Sequence, residues 1–264
     1  MPNENSRVIV GTSGYSFDDW EGVFYPPGLP KGKRLDFYKD HFEAAEINST
    51  YYRIPHPAVF HNMVKKVGDD FEFIIKTHRS FTHDRKDIEE PTREYNEAIR
   101  PVVEAGLMKG YIAQFPSSFR YSPANLQYVI AGGELFRQAP LFVEFRHNSW
   151  DRPEVYESLR ANAIGFCCVD EPQIQGLFPP KAEATTDIGY VRLHGRNAAK
   201  WWSGGGERYD YLYSESELRE WKQKIEVLKS RTNKIYLFFN NCHLGQAVRN
   251  ARMFLDLMQL EMTK

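Results

Sequence analysis

The chain has 264 residues, 42% hydrophobic and 14% aromatic, enough for the core of one large α/β domain or two small ones. A formal net charge of −1 excludes a protein that coats polyanions over its whole surface and leaves only a local basic groove. The cysteines, Cys167, Cys168 and Cys242, are odd in number and two are adjacent, which excludes a simple disulfide framework and fits reduced thiols.

Residues 7–12, RVIVGT, read as a first strand. The polar start before them, MPNEN, is not that of a signal peptide. Residues 13–34 are a loop punctuated by proline and glycine, where Trp20, Phe24 and Tyr25 are expected to pack against one another. Helical spacing over 35–42 leads to a second strand at 45–50, a helix at 57–67 and a third strand, FEFIIKTH, at 71–78. The charged stretch 79–92 is a loop, followed by a helix at 93–105 and a strand at 110–115. Ser122 as N-cap, with Pro123 behind it, opens a helix over 123–136. The fifth strand is 141–146, and Asp151 is the expected cap of a helix at 152–162. The sixth strand, 164–170, runs into a proline-rich connection, 171–187, without helical pattern. A seventh strand at 189–194 precedes a Trp-, Gly- and Tyr-rich loop at 197–214. Ser214 and Glu217 resemble a capping box for a helix at 216–231. An eighth strand, 234–240, and a helix, 246–260, close the chain.

Eight strands, nearly all followed by helices, predict a parallel (β/α)8 TIM-barrel-like domain spanning 1–264, with one irregular connection after the sixth strand. A doubly wound sheet is the rival, but GTSGYS after the first strand lacks the spacing of a phosphate-binding fingerprint. The connections after strands are long and aromatic, while those after helices are short. In a barrel this marks the C-terminal face as the functional one.

Polar residues stand at the ends of all eight strands, and two strands break the rule that a strand buried on both faces is apolar. Phe142, Glu144 and Arg146 share one face of the fifth; Tyr190, Arg192, His194 and Arg196 share one face of the seventh. Buried charge is costly unless paired or used. Lys76, Arg146, Arg192 and Arg196 suit an anionic or phosphate-bearing ligand, with Asn48, His78, Gln114, Asp170 and Asn240 completing a binding set. Glu144 and His194 are the candidates for moving a proton. Glu144 and Arg146 also read as an ion-pair brace, and His194 as a hydrogen-bonded core residue. Strands five and seven alternate, so Glu144 is expected to reach Arg192 or His194 across the lumen and leave Arg146 and Arg196 at the rim. Trp201 and Trp202, followed by Gly204, Gly205 and Gly206, read either as a stacking flap or as an indole packed over the barrel. A metal site from Glu46, His78, Glu144, Asp170 and His194 has no supporting ligand spacing, so no stoichiometric metal is expected.

The segments GTSGYSFDDWEGVFYP, EINSTYYRIP, FEFIIKTH, AQFPSSFRY, VEFRHNSW, VRLHGR and FFNN followed by GQAVRNA run from Gly11 to Ala251. Together they resemble the DUF72 family, also called YecE-like proteins. The resemblance implies a TIM-barrel-like fold and brings no assigned activity. It also implies a likeness at the barrel mouth to endonuclease-IV-like metal-dependent nucleases, whose full set of His, Asp and Glu ligands this chain lacks. The leading expectation is a cytoplasmic protein, without membrane spans, whose barrel mouth takes a small anionic or phosphorylated ligand, as an enzyme using acid/base chemistry. A non-catalytic ligand-binding protein is one alternative. A nucleic-acid-binding protein is another; the near-neutral charge opposes it.

Overall fold

The computed structural model describes residues 6–203 and 205–259. Its strands are β1 (Arg7–Ser13), β2 (Ala44–Ile47), β3 (Glu72–Lys76), β4 (Met108–Gln114), β5 (Leu141–Glu144), β6 (Gly165–Asp170), β7 (Ile188–Leu193) and β8 (Lys234–Phe239). Each pairs in parallel with the next, and β8 returns to β1, so the sheet closes and leaves no edge exposed. The helices are α1 (Arg34–Tyr38), α2 (Pro57–Val64), α3 (Glu89–Glu104), α4 (Pro123–Gly133), α5 (Pro153–Ala161), α6 (Glu215–Lys229) and α7 (Gln246–Gln259). Residue 260, the expected end of α7, lies outside the described residues. No helix separates β6 from β7, in keeping with the proline-rich 171–187. Among the described residues no helix is long and apolar enough to cross a membrane.

Capping chemistry sets several boundaries. Ser122 Oγ accepts the Asn125 N–H at the start of α4, and the reciprocal Ser214–Glu217 capping box opens α6. Asp151 does not cap α5: Arg152 occupies the cap position, and Asp151 instead accepts from the Tyr156 hydroxyl at 2.8 Å and from Lys181. β3 stops at Lys76 rather than running to 78. The Lys76 carbonyl accepts hydroxyl donors from Thr50 and Tyr95, at 2.6 and 3.1 Å. The stretch 79–92 is not wholly a loop; a π-helical turn fills Ser80–Asp84 and α3 begins at Glu89.

Aromatic rings fill the lumen floor. The Phe142 ring lies between two glycines, where an added Cβ would sit 2.6 Å from it at Gly110 and 2.3 Å from it at Gly165. Tyr190 stacks obliquely on Phe142 at 4.7 Å and stands 5.6 Å from Phe238. At the N-terminal end Glu72 accepts from Lys234 and from the Tyr236 hydroxyl. The aromatic cluster after β1 reaches beyond its own loop: Trp20 packs near Phe24 and Tyr25, and Phe24 meets Phe37 and Tyr38. The Trp20 indole N–H donates to the Cys242 carbonyl at 2.7 Å, joining the loops that follow β1 and β8.

Gly165→Ala is expected to cost about 1–3 kcal/mol by overpacking, seen as a lower denaturant midpoint at unchanged slope. Combined with Phe142→Leu, the loss should be smaller than the sum of the two single losses, which a double-mutant cycle measures.

Candidate functional site at the barrel mouth

Above the aromatic floor, five side chains form a chain of alternating charge across the lumen. Arg192, from β7, donates to Glu46 of β2 at 2.7 Å and to Glu144 of β5 at 2.5 Å. Arg146, just past β5, donates back to Glu144 and to Glu171 at 3.0 Å. Tyr190 donates its hydroxyl to Glu46 at 2.6 Å, and the Phe178 N–H donates to Glu171 at 3.0 Å. All three carboxylates are fully buried. The expected reach of Glu144 across the lumen to Arg192 is met. His194 Nε2 lies 3.2 Å from Glu144 Oε1 without the alignment of a hydrogen bond, while its Nδ1 faces the Asn240 amide nitrogen at 2.8 Å.

Burial opposes charge throughout this chain, and the neighbours decide which groups keep it. Burial raises the Glu144 carboxyl, but Arg146 and Arg192 overcome that and hold it well below the usual carboxylate range. Glu171 has one arginine instead of two, and burial pushes it up to about 7. Burial and Arg146 push His194 down to about 3, against the pull of Glu144. His194 is therefore a neutral imidazole at physiological pH.

Two adjoining cavities open above the chain of charges. One, of about 440 Å³, is lined by Ser13, Tyr15, Asn48, Tyr52, Lys76, Gln114, Arg146, Arg192 and Asn240, with Phe17, Ile47, Val59 and Met63 on its apolar side. The other, of about 500 Å³, shares Tyr52, Lys76, Gln114, Arg146 and Tyr209, and adds Tyr51, His83, Trp201, Trp202 and Arg208. The basic groups on these walls are Lys76, His83, Arg146, Arg192 and Arg208, of which His83 is neutral near pH 7 because burial, with Lys76 and Arg79 nearby, pushes its imidazole down to about 4; no Asp or Glu is among the described residues that line either cavity. Lys76 Nζ donates to Gln114 Oε1 at 3.1 Å and stands 4.5 Å from the Tyr51 ring centre. Trp201 is buried beside the Arg146 guanidinium, whereas Trp202 is 61% exposed. Gly204 lies outside the described residues.

The mouth thus gathers Asn48, Lys76, Gln114, Arg146, Arg192, Trp201, Trp202 and Asn240. Five expected residues lie elsewhere. Glu144 and His194, the candidates for proton transfer, are sealed beneath the guanidiniums and line neither cavity. His78 turns into its own loop, where Nδ1 meets Ser80 Oγ at 3.0 Å. Arg196 does not share the inward face of His194. Gly195, at φ +92°, turns the chain, and Arg196 holds Asp170 through two nitrogens at 2.9 and 3.1 Å, together with Glu217 and Glu220. Asp170 is correspondingly the buried partner of Arg196, outside the mouth. Residues the sequence did not single out include Glu171, Tyr51, His83, Arg208 and Tyr209. For Glu171 the available signal was its place one residue past β6; for the others only the loops were marked. Among the described residues, no group of three or more His, Cys, Asp or Glu side chains is placed to hold a metal ion.

The family model described as protein of unknown function DUF72 matches residues 9–264. The UPF0759 protein YunF of Bacillus subtilis (strain 168) is 29% identical over 272 residues, covering 96% of this chain and 95% of that protein. A crystal structure of a DUF72 family protein from Thermotoga maritima MSB8 is 43% identical, with a TM-score of 0.89 over 96% of this chain and 99% of that one. Another, from Enterococcus faecalis V583, shares the fold at 24% identity and a TM-score of 0.86, over 96% of this chain and 95% of that one.

Glu144→Ala is expected to cost roughly 3–5 kcal/mol, because it strands Arg192 and Arg146 without their shared partner; chemical denaturation measures the loss. The pH dependence should split into two opposed slopes. His194 has its folded pKa, about 3, below the ordinary 6.5, so its contribution is present above 6.5 and lost as pH falls. Glu171 has its folded pKa, about 7, above the ordinary 4.5, so its contribution is full below 4.5 and lost as pH rises through 7. In urea titrations from pH 7 to 4.5, His194→Gln should gain stability relative to the wild type and Glu171→Gln should lose it relative to the wild type, each by up to about 1.4 kcal/mol per pH unit.

Proposed function

The chain belongs to the DUF72 family, whose description assigns no function, and from its barrel mouth we propose that it binds a small anionic ligand, phosphate- or carboxylate-bearing, with an apolar or aromatic body. One observation carries this reading. Every charged side chain on the cavity walls is cationic, and the carboxylates that balance the arginines stand behind them. Guanidinium groups fixed by carboxylates are already ordered, which lowers the cost of holding a forked anion. Phe17, Ile47, Val59 and Met63 offer the first cavity's apolar wall, and Tyr51, Tyr52 and Trp202 offer aromatic faces at the rim. The buried free thiols Cys167, Cys168 and Cys242 support a cytoplasmic setting, where thiols stay reduced.

Thermal unfolding in the presence of pyrophosphate, sugar phosphates and dicarboxylates tests the reading, with sodium chloride matched for ionic strength. At a hundredfold excess over Kd, a ligand of this site should raise Tm by roughly 5–10 °C. Lys76→Met should remove most of that rise, since it deletes a wall cation that bonds to no carboxylate. A panel in which no anion exceeds the salt control, or in which Lys76→Met responds like the wild type, overturns the proposal.

A further inference from the structure

Lys76 differs from the two buried guanidiniums of the mouth. Arg146 and Arg192 are each held by two carboxylates, but no carboxylate among the described residues pairs with Lys76. Its amine is placed by the end of β3 on the wall common to both cavities, with one hydrogen bond to Gln114 and the Tyr51 ring beside it. A lysine left without a counterion in the field of two guanidiniums is poorly suited to a purely structural role.

We propose that Lys76 is a carbonyl-reactive amine, forming a Schiff base with an aldehyde or ketone that carries a phosphate or carboxylate group. The substrate class rests on the anion-site reading above. In the step, the nitrogen lone pair attacks the carbonyl carbon and a C–N bond forms. The C=O π pair moves to oxygen, which takes a proton, and nitrogen gives one up, with cavity water as relay. A second proton, taken from solvent water, goes to the hydroxyl as the nitrogen lone pair forms the C=N bond and the C–O bond breaks to release water, so amine, carbonyl and one solvent proton give a protonated imine plus water, without redox change. The imine is cationic, and the Tyr51 face is placed to receive it. The anionic group of the substrate would rest on Arg146 and Arg192 and offset their field at the new cation, which discriminates against neutral carbonyls.

The protonation of Lys76 agrees with this use. Burial first, and Arg192 and Arg146 next, outweigh Glu144 and Glu46 and bring the amine down to about 7. Near neutral pH a large share of it is therefore nucleophilic, against about 1 in 2500 for an ordinary lysine. The groups that set this value come from β7 (Arg192), β5 and its end (Glu144, Arg146) and β2 (Glu46).

Reductive trapping tests the proposal. The full-length protein is incubated at pH 7 with glyceraldehyde 3-phosphate or with neutral glyceraldehyde, in the presence of cyanoborohydride, and adducts are mapped by mass spectrometry. One adduct is expected at Lys76, forming at least ~10-fold faster with the phosphate, protected by pyrophosphate, and with a rate that rises through a midpoint near its lowered pKa. Exposed lysines such as Lys65 should react slowly and alike with both aldehydes. Mapping is done on the wild type, so the result does not depend on a variant folding; Lys76→Met should lose only that adduct. Adducts spread evenly over surface lysines overturn the proposal. A Tm rise with phosphates but no Lys76 adduct overturns it while leaving the anion site standing. A Lys76 adduct formed equally from the neutral aldehyde, unprotected by pyrophosphate, upholds the amine and overturns the anion-site reading.

Discussion

Five almost wholly buried ionisable groups govern this molecule. Glu46, Arg192, Glu144, Arg146 and Glu171 alternate in sign across the lumen, and no member has a full set of partners without its neighbours. Desolvation makes each one unfavourable alone, so the network is tolerated only as a unit. It ties β2, β5, β7 and the segment after β6 into one polar layer. The same arrangement gives the mouth its polarity. Because the carboxylates neutralise the arginines from beneath, the walls present positive charge without a net excess in the barrel, which fits a chain whose overall charge is −1.

Much of this layer could be read from strand periodicity. Glu144 two residues before Arg146, and Arg192 two before His194, had to point inward or outward together, and alternate strands had to meet. The pattern failed where the strands ended. Gly195 takes a left-handed backbone conformation, so Arg196 leaves the inward series and pairs with Asp170 instead. After β3 the chain enters a π-helical turn, which sends His78 toward Ser80 and brings His83 to the cavity. Arg208 and Tyr209 lie in a loop whose path is set by contacts remote in sequence, such as Asn197 Nδ2 to the Asp210 carbonyl at 3.0 Å. Period-two alternation holds only while the backbone is extended.

Packing explains why open space is confined to the top of the barrel. Phe142, Tyr190 and Phe238 occupy the lumen beneath the charged layer, and Gly110 and Gly165 make room for the largest intrusion. The cavities therefore have a floor of arginine, backed by carboxylates and aromatic rings, and they open toward the loops that follow the strands. A side chain on that floor moves little, because both its charge partners and the rings below are fixed by the close packing of the interior.

The hydrogen bond from Trp20 to Cys242 has a bearing on the order of assembly. It spans 222 positions of sequence, and the β1–β8 pairing beside it is more non-local still. Contacts of this separation carry the full entropy of closing the chain and so come late in folding. The walls contributed by Ser13, Tyr15 and Phe17 on one side and by Asn240 and Cys242 on the other belong to this seam. A nascent chain can build β2 through β7 and the greater part of the charged layer while its mouth is still open along one side. The mouth is then completed last, at the step that joins the two ends of the sheet.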